Sequence, residues 1–362
     1  MNVLIPYDIN TTGLRNPYLF QLLKGLEFHS GIAKVQHGYG WLHVEEGSWD
    51  VIHLHWPEEL MGAGLPDSFS ETELREESIQ RLTNLLESWK AKGTTLVLTV
   101  HNELPHKQRN EKSVELYRQI YSLVDVFIHM GEESVKLISE KFPEETAGKP
   151  TIVIPHGDYS LFPNLIGKRE ARKRLGISLQ KNVMLAFGAI RSEEELNMGI
   201  NAMKSAGMAD MLYLIAGKIP YPYKSKMRHF TVRRKLFFNK GRVKTEERVI
   251  PPEEVQIYMN AADLLFIPRI RALNSGNVAL GFNFGKVVAG PDYGVIGEVL
   301  GQTGNPVFDP SDLSSVASAI REGFRLSGTD LGQQNRDYCR RYMNWKKIAD
   351  QYVNVYAGRM DK

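Results

Sequence analysis

At 362 residues the chain is too long for one ordinary core and suits two domains of ordinary size. Apolar residues make up 42% and charged residues 24%, the balance of a soluble globular protein, and a net charge of +3 supplies no overall field that would point to nucleic acid. A single cysteine, Cys339, excludes an intramolecular disulfide and fits a reducing compartment.

The opening MNVLIPYDIN has neither the basic lead nor the length of a signal peptide. No run approaches the ~18 apolar residues of a spanning helix. A cytoplasmic protein, at most resting on the inner face of a membrane, is the expectation.

In chain order, Asn2–Pro6 reads as a short apolar strand, followed by a polar loop, Tyr7–Arg15, that contains Gly13. Pro17 opens a helix over Tyr18–Phe28, with Leu19, Leu22, Leu23 and Leu26 at helical spacing. Val51–Trp56 is a second strand, whose polar end carries His53 and His55. A long amphipathic helix, Glu71–Lys92, leads to the strand Thr95–Val100, which runs straight into His101-Asn102-Glu103. A helix near Val114–Leu123, a strand Asp125–Met130, a helix near Glu133–Phe142 and a strand Thr151–Ile154 follow.

This alternation implies a parallel sheet covered on both faces. Ligands of such sheets sit at the carboxyl ends of the strands.

The stretch His156–Lys168, with Gly157, Pro163 and Gly167 and no clear period, is the expected boundary. Beyond it the alternation restarts. Strand Asn182–Phe187 meets Gly188, a helix begins near Ser192, and strand Leu212–Ala216 meets Gly217-Lys218. A strand running to Ile250, a helix Pro252–Ala261 and a strand Asp263–Ile267 come next, and the tail reads as two helices, Leu331–Tyr342 and Trp345–Tyr356. Two doubly wound domains, 1–160 and 169–340, followed by a terminal helical segment, 341–362, are the simplest fit.

Nine of the ten histidines lie in the first 156 residues. His55, His101, His106 and His156 stand at or just past strand ends, in HLHWPEE, LTVHNELPH and IPHGDY, where they suit either loop and cap duties or a shared cleft wall with Gly13. Their spacing fits no metal motif, so no metal is expected. A general base for a hydroxyl group needs one His or carboxylate within hydrogen-bond reach and a pKa near neutrality. His101, Asp8, Glu58 and Glu103 qualify by type, with His101 first because its ordinary pKa already suits the task.

The segment ADLLFIPRIRALNSGNVALGFNFGKVVAGPDYGVIGE, Ala262–Glu298, reads strand, polar loop, short helix, strand, glycine turn, helix. Asn274-Ser275-Gly276-Asn277 precedes the mostly apolar Val278–Phe284. Such a loop caps a helix and either binds nothing or, through its free N–H groups and the helix dipole, holds phosphate.

These pieces resemble the donor half of the GT-B glycosyltransferases of bacterial polysaccharide assembly, in particular the glycosyltransferase family 4-like group with a Ser-Gly donor loop. The matching residues are Asn274-Ser275-Gly276, Gly285-Lys286-Val287-Val288-Ala289-Gly290 and Gly294–Glu298. The resemblance implies two Rossmann-like domains whose parallel sheets face a central cleft, with a terminal helix crossing back to the first domain. It implies donor contacts from Asn274, Ser275, Gly276, Asn277 and Glu298, and from Arg191 in Phe187-Gly188-Ala189-Ile190-Arg191. Where the family has Lys and Gly after that arginine, this chain has Glu194 and Glu195. Lys218 is placed to supply the missing charge as a point charge on phosphate.

Retaining members often carry two glutamates where this chain has Ala272 and Leu280, which leans the expectation toward inversion. The activity implied is transfer of a sugar from a nucleotide-diphosphate sugar, UDP- or GDP-linked, to a glycan or lipid-linked acceptor, with no cofactor and no metal. The rival is a non-catalytic GT-B scaffold subunit supporting a partner transferase, favoured by Glu194, Ala272 and Leu280.

Tyr223–Lys244 holds nine Lys or Arg residues and no acid, interleaved with Phe230, Phe237 and Phe238. It reads as a solvated face, as a patch for anionic lipid, or as a nucleic-acid contact. No nucleic-acid module accompanies it.

Overall fold

Short apolar runs, each closed by a polar or glycine-bearing loop, become twelve strands in the computed structural model, which describes residues 1–9, 17–44, 47–60, 74–105, 110–219 and 226–359. In the first sheet these are β1 (Asn2–Ile5), β2 (Lys34–His37), β3 (Val51–Leu54), β4 (Thr95–Thr99), β5 (Val126–His129) and β6 (Thr151–Val153). In the second they are β7 (Asn182–Phe187), β8 (Met211–Ala216), β9 (Val243–Glu246), β10 (Leu264–Phe266), β11 (Val287–Pro291) and β12 (Val307–Phe308). The chain divides into two compact units, Met1–Gly157 together with Met343–Lys362, and Asp158–Tyr342.

The first unit orders its strands β2-β1-β3-β4-β5-β6, all parallel, with Val3 opposite Val51 and Leu54 opposite Leu98. Every residue of β3 and β5 is buried, as strands covered on both faces require. The final helix, Trp345–Tyr356, belongs to this unit and presents Ile348, Tyr352, Val353 and Tyr356 to its core. Tyr352 meets Tyr18 of the helix Pro17–Glu27 hydroxyl to hydroxyl at 2.6 Å.

The second unit orders its strands β12-β11-β10-β7-β8-β9, also all parallel. Counted from β7 this is the doubly wound order 3-2-1-4-5-6, whose direction of winding reverses between β7 and β10. In the first unit the reversal falls between β1 and β3. The loops leaving those strands are therefore the places where a ligand fits each sheet.

The observed elements follow the expected ones closely, with a few differences. The long helix of the first unit runs Glu76–Ala91, and residues 71–73, where the sequence starts it, lie outside the described residues. The strand expected to reach Ile250 ends at Glu246. The strand β2 and the helices Lys168–Leu175 and Leu313–Ser327 are elements that the sequence reading leaves unassigned.

Candidate active site

In a strand, residues two apart share a face, so β3 and its exit put His53 and His55 side by side, rings 4.2 Å apart. His53 is fully spoken for. Its Nε2 lies 2.8 Å from Thr99 Oγ1 and its Nδ1 2.6 Å from the Tyr356 hydroxyl. Burial pushes its imidazole down to about 3, so it is a neutral structural group.

His55 sits at the winding reversal. The hydroxyl of Tyr7, from the loop after β1, accepts the backbone N–H groups of His55 (3.0 Å) and Trp56 (2.9 Å), which ties the two strand exits together. His55 Nδ1 lies 2.9 Å from His101 Nε2. His101 stacks on Trp56 with ring centroids 4.1 Å apart and meets Tyr18 edge-on at 5.0 Å. Burial, and then the neighbouring His53 and His101, hold His55 well below its ordinary pKa. The third histidine, His156, donates from Nδ1 to the Gly157 carbonyl at 2.7 Å and lies 5.0 Å from the Tyr18 ring. Burial lowers it to about 4. Strand-end histidines thus do converge, around Tyr18.

The acidic candidates separate. Glu58, on the short helix Pro57–Leu60 directly after β3, accepts the Tyr117 hydroxyl at 2.8 Å. Burial pushes its carboxyl up to about 7, the range a general base needs. Glu103 is buried with its Oε2 3.7 Å from Lys141 Nζ, which makes it half of an ion pair on the side of the helix Glu132–Lys141. Asp8 is exposed in the loop after β1. Gly13 and His106 lie outside the described residues.

In the second unit the β7 exit is fixed from three directions. Asn277 Nδ2 donates to the Phe187 carbonyl (2.8 Å), Arg269 Nη2 to the Ala189 carbonyl (3.0 Å), and the Arg191 N–H to Glu195 Oε2 (2.7 Å). Glu195 also receives Arg269 Nη1 at 2.6 Å, both side chains being under 10% exposed. The backbone closes the arrangement: Gly188 N–H donates to Ala216 and Ile190 N–H to Lys218. A Cβ on Gly217, whose φ is +149°, would stand 2.0 Å from the Gly188 carbonyl oxygen, so this glycine permits a backbone-to-backbone contact between neighbouring strand exits.

Two expectations about the Ser-Gly loop change. Ser275 does cap the helix Gly276–Asn283, its Oγ accepting the Asn277 N–H. The need for glycine at 276, however, comes from the protein itself, because a Cβ there would lie 2.3 Å from the Tyr159 hydroxyl. Asn277 spends its side-chain amide on the β7 exit, so it positions that loop. Ala272 and Leu280 are buried core residues, and Glu298 is half-buried beside Tyr338, whose hydroxyl is raised by burial, Tyr342 and Glu298.

Arg191 and Lys218 are exposed at the carboxyl edge. Arg271, which the sequence reading passed over, joins them: its Nε donates to the Tyr293 hydroxyl at 3.1 Å and its guanidinium lies over that ring at 5.3 Å. The paired arginines of Phe266-Ile267-Pro268-Arg269-Ile270-Arg271 were the available signal. One is buried on Glu195 and the other is exposed. Asn274 stands half-buried just ahead of the Ser275 cap. Guanidinium, ammonium and helix N-terminal N–H groups all follow strands at this edge, and an anion is the ligand such groups suit. Among the described residues no group of three or more His, Cys, Asp or Glu side chains is arranged to hold a metal ion.

Solved structures of glycosyltransferases superpose on nearly the whole chain. Sucrose-phosphate synthase from Thermosynechococcus elongatus matches with a TM-score of 0.67 at 16% identity, covering 99% of this chain and 98% of that one. The Anabaena protein HepE in complex with UDP-glucose matches with a TM-score of 0.69 at 12% identity, covering 99% and 100%. The chain has the GT-B fold.

Among curated proteins, GDP-mannose:glycolipid 4-beta-D-mannosyltransferase of Xanthomonas campestris pv. campestris is 23% identical to this GT-B chain over 355 residues, 96% of this chain and 89% of the relative. No family model matches.

Proposed function

We propose that this protein is a nucleotide-sugar-dependent glycosyltransferase that moves a sugar to a glycan or lipid-linked acceptor. The observation that carries this reading is the alignment, over almost its full length, with a mannosyltransferase that acts on a glycolipid. The GT-B fold of neighbours such as HepE, solved with UDP-glucose, supports a catalytic role over the scaffold alternative, although fold by itself assigns no chemistry.

In this reading the second unit holds the donor diphosphate. Arg191, Lys218, Arg271 and the N-terminus of the helix Gly276–Asn283 meet the phosphates and stabilise the leaving group's charge, so transfer proceeds without a divalent metal and survives excess chelator. In the first unit, Glu58 takes the proton of the acceptor hydroxyl. Both Glu58 and Asp8 follow strands at the winding reversal, and the raised pKa of Glu58 favours it, while Lys141 already engages Glu103. Direct displacement with inversion suits a site where Ala272 and Leu280 replace carboxylates.

A peripheral membrane location is the second part of the proposal. Phe230, Phe237 and Phe238, on and at the end of the helix Lys226–Phe238, are 66%, 62% and 71% exposed. Arg234 and Lys240 lie over the rings of Phe238 and Phe237 at 5.6 and 4.9 Å. Exposed aromatics flanked by cations suit an anionic lipid surface. Lys235 instead bonds Asn197 and Arg242 bonds the Met208 carbonyl, so those two are structural. Tyr223 and its neighbours through residue 225 lie outside the described residues.

A panel of UDP- and GDP-sugars, scored by thermal shift and by release of nucleoside diphosphate, tests the reading. One donor should stabilise the protein and be turned over.

A further inference from the structure

Glu58 has a carboxyl that burial raises to about 7 and no cationic partner among the described residues. Burial drives such a group toward its neutral form, and a base must be ionised before it can take a proton. The groups that act on it are few. Glu59, on the same short helix, also favours the neutral form, while its own backbone N–H and the Tyr117 hydroxyl, 2.8 Å from Oε2, favour the carboxylate. Tyr7, from the loop after β1, and Tyr121, from the helix Glu111–Leu123, lie within electrostatic reach as phenols whose pKa burial raises. Among the described residues Tyr117 is the one side chain that bonds this carboxyl.

The direction of that bond does not change with pH. Tyr117 is 3% exposed, and burial, then the neighbouring Glu58, hold its hydroxyl well above the ordinary 10. The phenol therefore keeps its hydrogen and donates whether Glu58 is charged or neutral. A hydrogen bond to a charged acceptor is stronger than one to a neutral acceptor, so the bond favours the carboxylate. Its geometry comes from a regular element. Tyr117 stands in the helix Glu111–Leu123, N-capped by Asn110 Oδ1, which accepts the Ser113 N–H at 3.1 Å, whereas Glu58 rides on the single turn Pro57–Leu60. Tyr121, one turn further along with its ring 5.6 Å from that of Tyr117, has a buried hydroxyl with no hydrogen-bond partner among the described residues. One helix thus carries a phenol that bonds Glu58 and, beside it, a phenol that does not.

We infer that Tyr117 is a positioning residue for Glu58: its hydroxyl holds the carboxylate by one oxygen and stabilises the charged form that takes the acceptor's proton. The proton transfer rests on the transferase reading, whereas the bond and its effect on the carboxyl do not. In that transfer the acceptor oxygen gives its proton to Glu58 as it bonds the anomeric carbon of the sugar. The nucleoside diphosphate leaves with the electron pair of the bond that breaks. Two opposing influences set the proton affinity of Glu58. Burial makes the carboxyl basic enough to accept a proton near neutrality, and Tyr117 keeps enough of it ionised to do so.

The test is 13C NMR of the full chain carrying 13C-labelled glutamate carboxyls, with the Glu58 signal assigned by Glu58→Gln. In Tyr117→Phe, which keeps the packed ring, the midpoint of the Glu58 titration should rise by about one pH unit, the scale on which hydrogen bonds to charged and neutral acceptors differ. In Tyr121→Phe it should stay at the wild-type value. An unmoved midpoint in Tyr117→Phe, or an equal rise in Tyr121→Phe, overturns the inference.

Kinetics separate positioning from a general loss of packing. The rising limb of the pH–rate profile of Tyr117→Phe should move up with the NMR midpoint, so that kcat falls about tenfold near pH 6 and little near pH 9. A loss of the same size at every pH, with the limb unmoved, would make Tyr117 merely structural and overturn its role in the reaction. The NMR result needs no substrate. A shifted Glu58 titration in a protein that turns over no donor would sink the transferase reading while leaving the Tyr117–Glu58 bond as described.

Discussion

Replacing Arg269 with Met tests whether the β7 exit is held by the ion pair with Glu195. The pair is short, 2.6 Å, and both side chains are under 10% exposed, so solvent does little to screen it. Arg269→Met leaves a buried carboxylate whose remaining hydrogen-bond partner among the described residues is the Arg191 N–H. Removing one member of such a pair costs about 3–5 kcal/mol, a large part of the ~5–15 kcal/mol that holds a domain folded. The double variant Arg269→Met/Glu195→Gln removes the stranded charge, keeps an acceptor for the Arg191 N–H, and loses mainly the bond to the Ala189 carbonyl. It should cost only about 1–2 kcal/mol. Urea unfolding of the full chain, with amide exchange at Gly188–Ser192 to localise the effect, gives both values. A single variant within about 0.5 kcal/mol of wild type, the size of an inert surface change, would show that the pair does not hold this loop. A double variant as unstable as the single one would show the same.

Three further outcomes are expected. Gly276→Ala should lower nucleoside-diphosphate affinity at least tenfold, and Tyr159→Phe in the same chain should restore most of it, because the hydroxyl is what a Cβ meets at 2.3 Å; a double variant that stays weak would show that the ligand, not Tyr159, needs the space. For Glu58, the folded pKa of about 7 exceeds the ordinary 4.5, so the folded protein keeps a proton that the unfolded chain loses between those values. Its contribution to stability is therefore full below about 4.5 and lost as pH rises through about 7. Glu58→Gln should flatten that decline in chemical denaturation and remove the rise of kcat with pH, and an unchanged pH–rate profile would pass the proton to Asp8. Vesicles rich in anionic lipid should bind the protein at low salt and release it as salt rises, with Arg233→Gln/Arg234→Gln weakening the binding, whereas equal binding to neutral vesicles would argue against the charged face.

The sequence made the architecture legible because each buried parallel strand is a short apolar run and each amphipathic helix repeats its Leu and Ile at helical spacing. Two of the elements it left unassigned carry weak or misleading local signals. β2, Lys-Val-Gln-His, is an edge strand with little apolar signal. The helix Lys168–Leu175 looks like a solvated basic run, yet its Arg172 is 1% exposed and bonds the carbonyls of Ala261, Ser178 and Leu179 and the Asp263 carboxylate.

At the site, strand-end position predicted which side chains would gather, as with His55, His101 and His156. It could not predict what they would touch. Glu58 gained its perturbed carboxyl from burial in the folded unit beside Tyr117, 59 residues away along the chain, and Gly276 owes its need for glycine to Tyr159. Both are tertiary contacts with no trace in local spacing.

The central claim is that this chain turns over a nucleotide sugar, and the direct measurement is nucleoside-diphosphate release by purified protein across UDP- and GDP-sugars, with and without glycan and lipid-linked acceptors. Release from one donor, accelerated by an acceptor and reduced at least tenfold by Lys218→Ala or Arg191→Ala, is the predicted result. Failure to bind or turn over any donor under every acceptor condition would contradict the account and return the protein to a scaffold role.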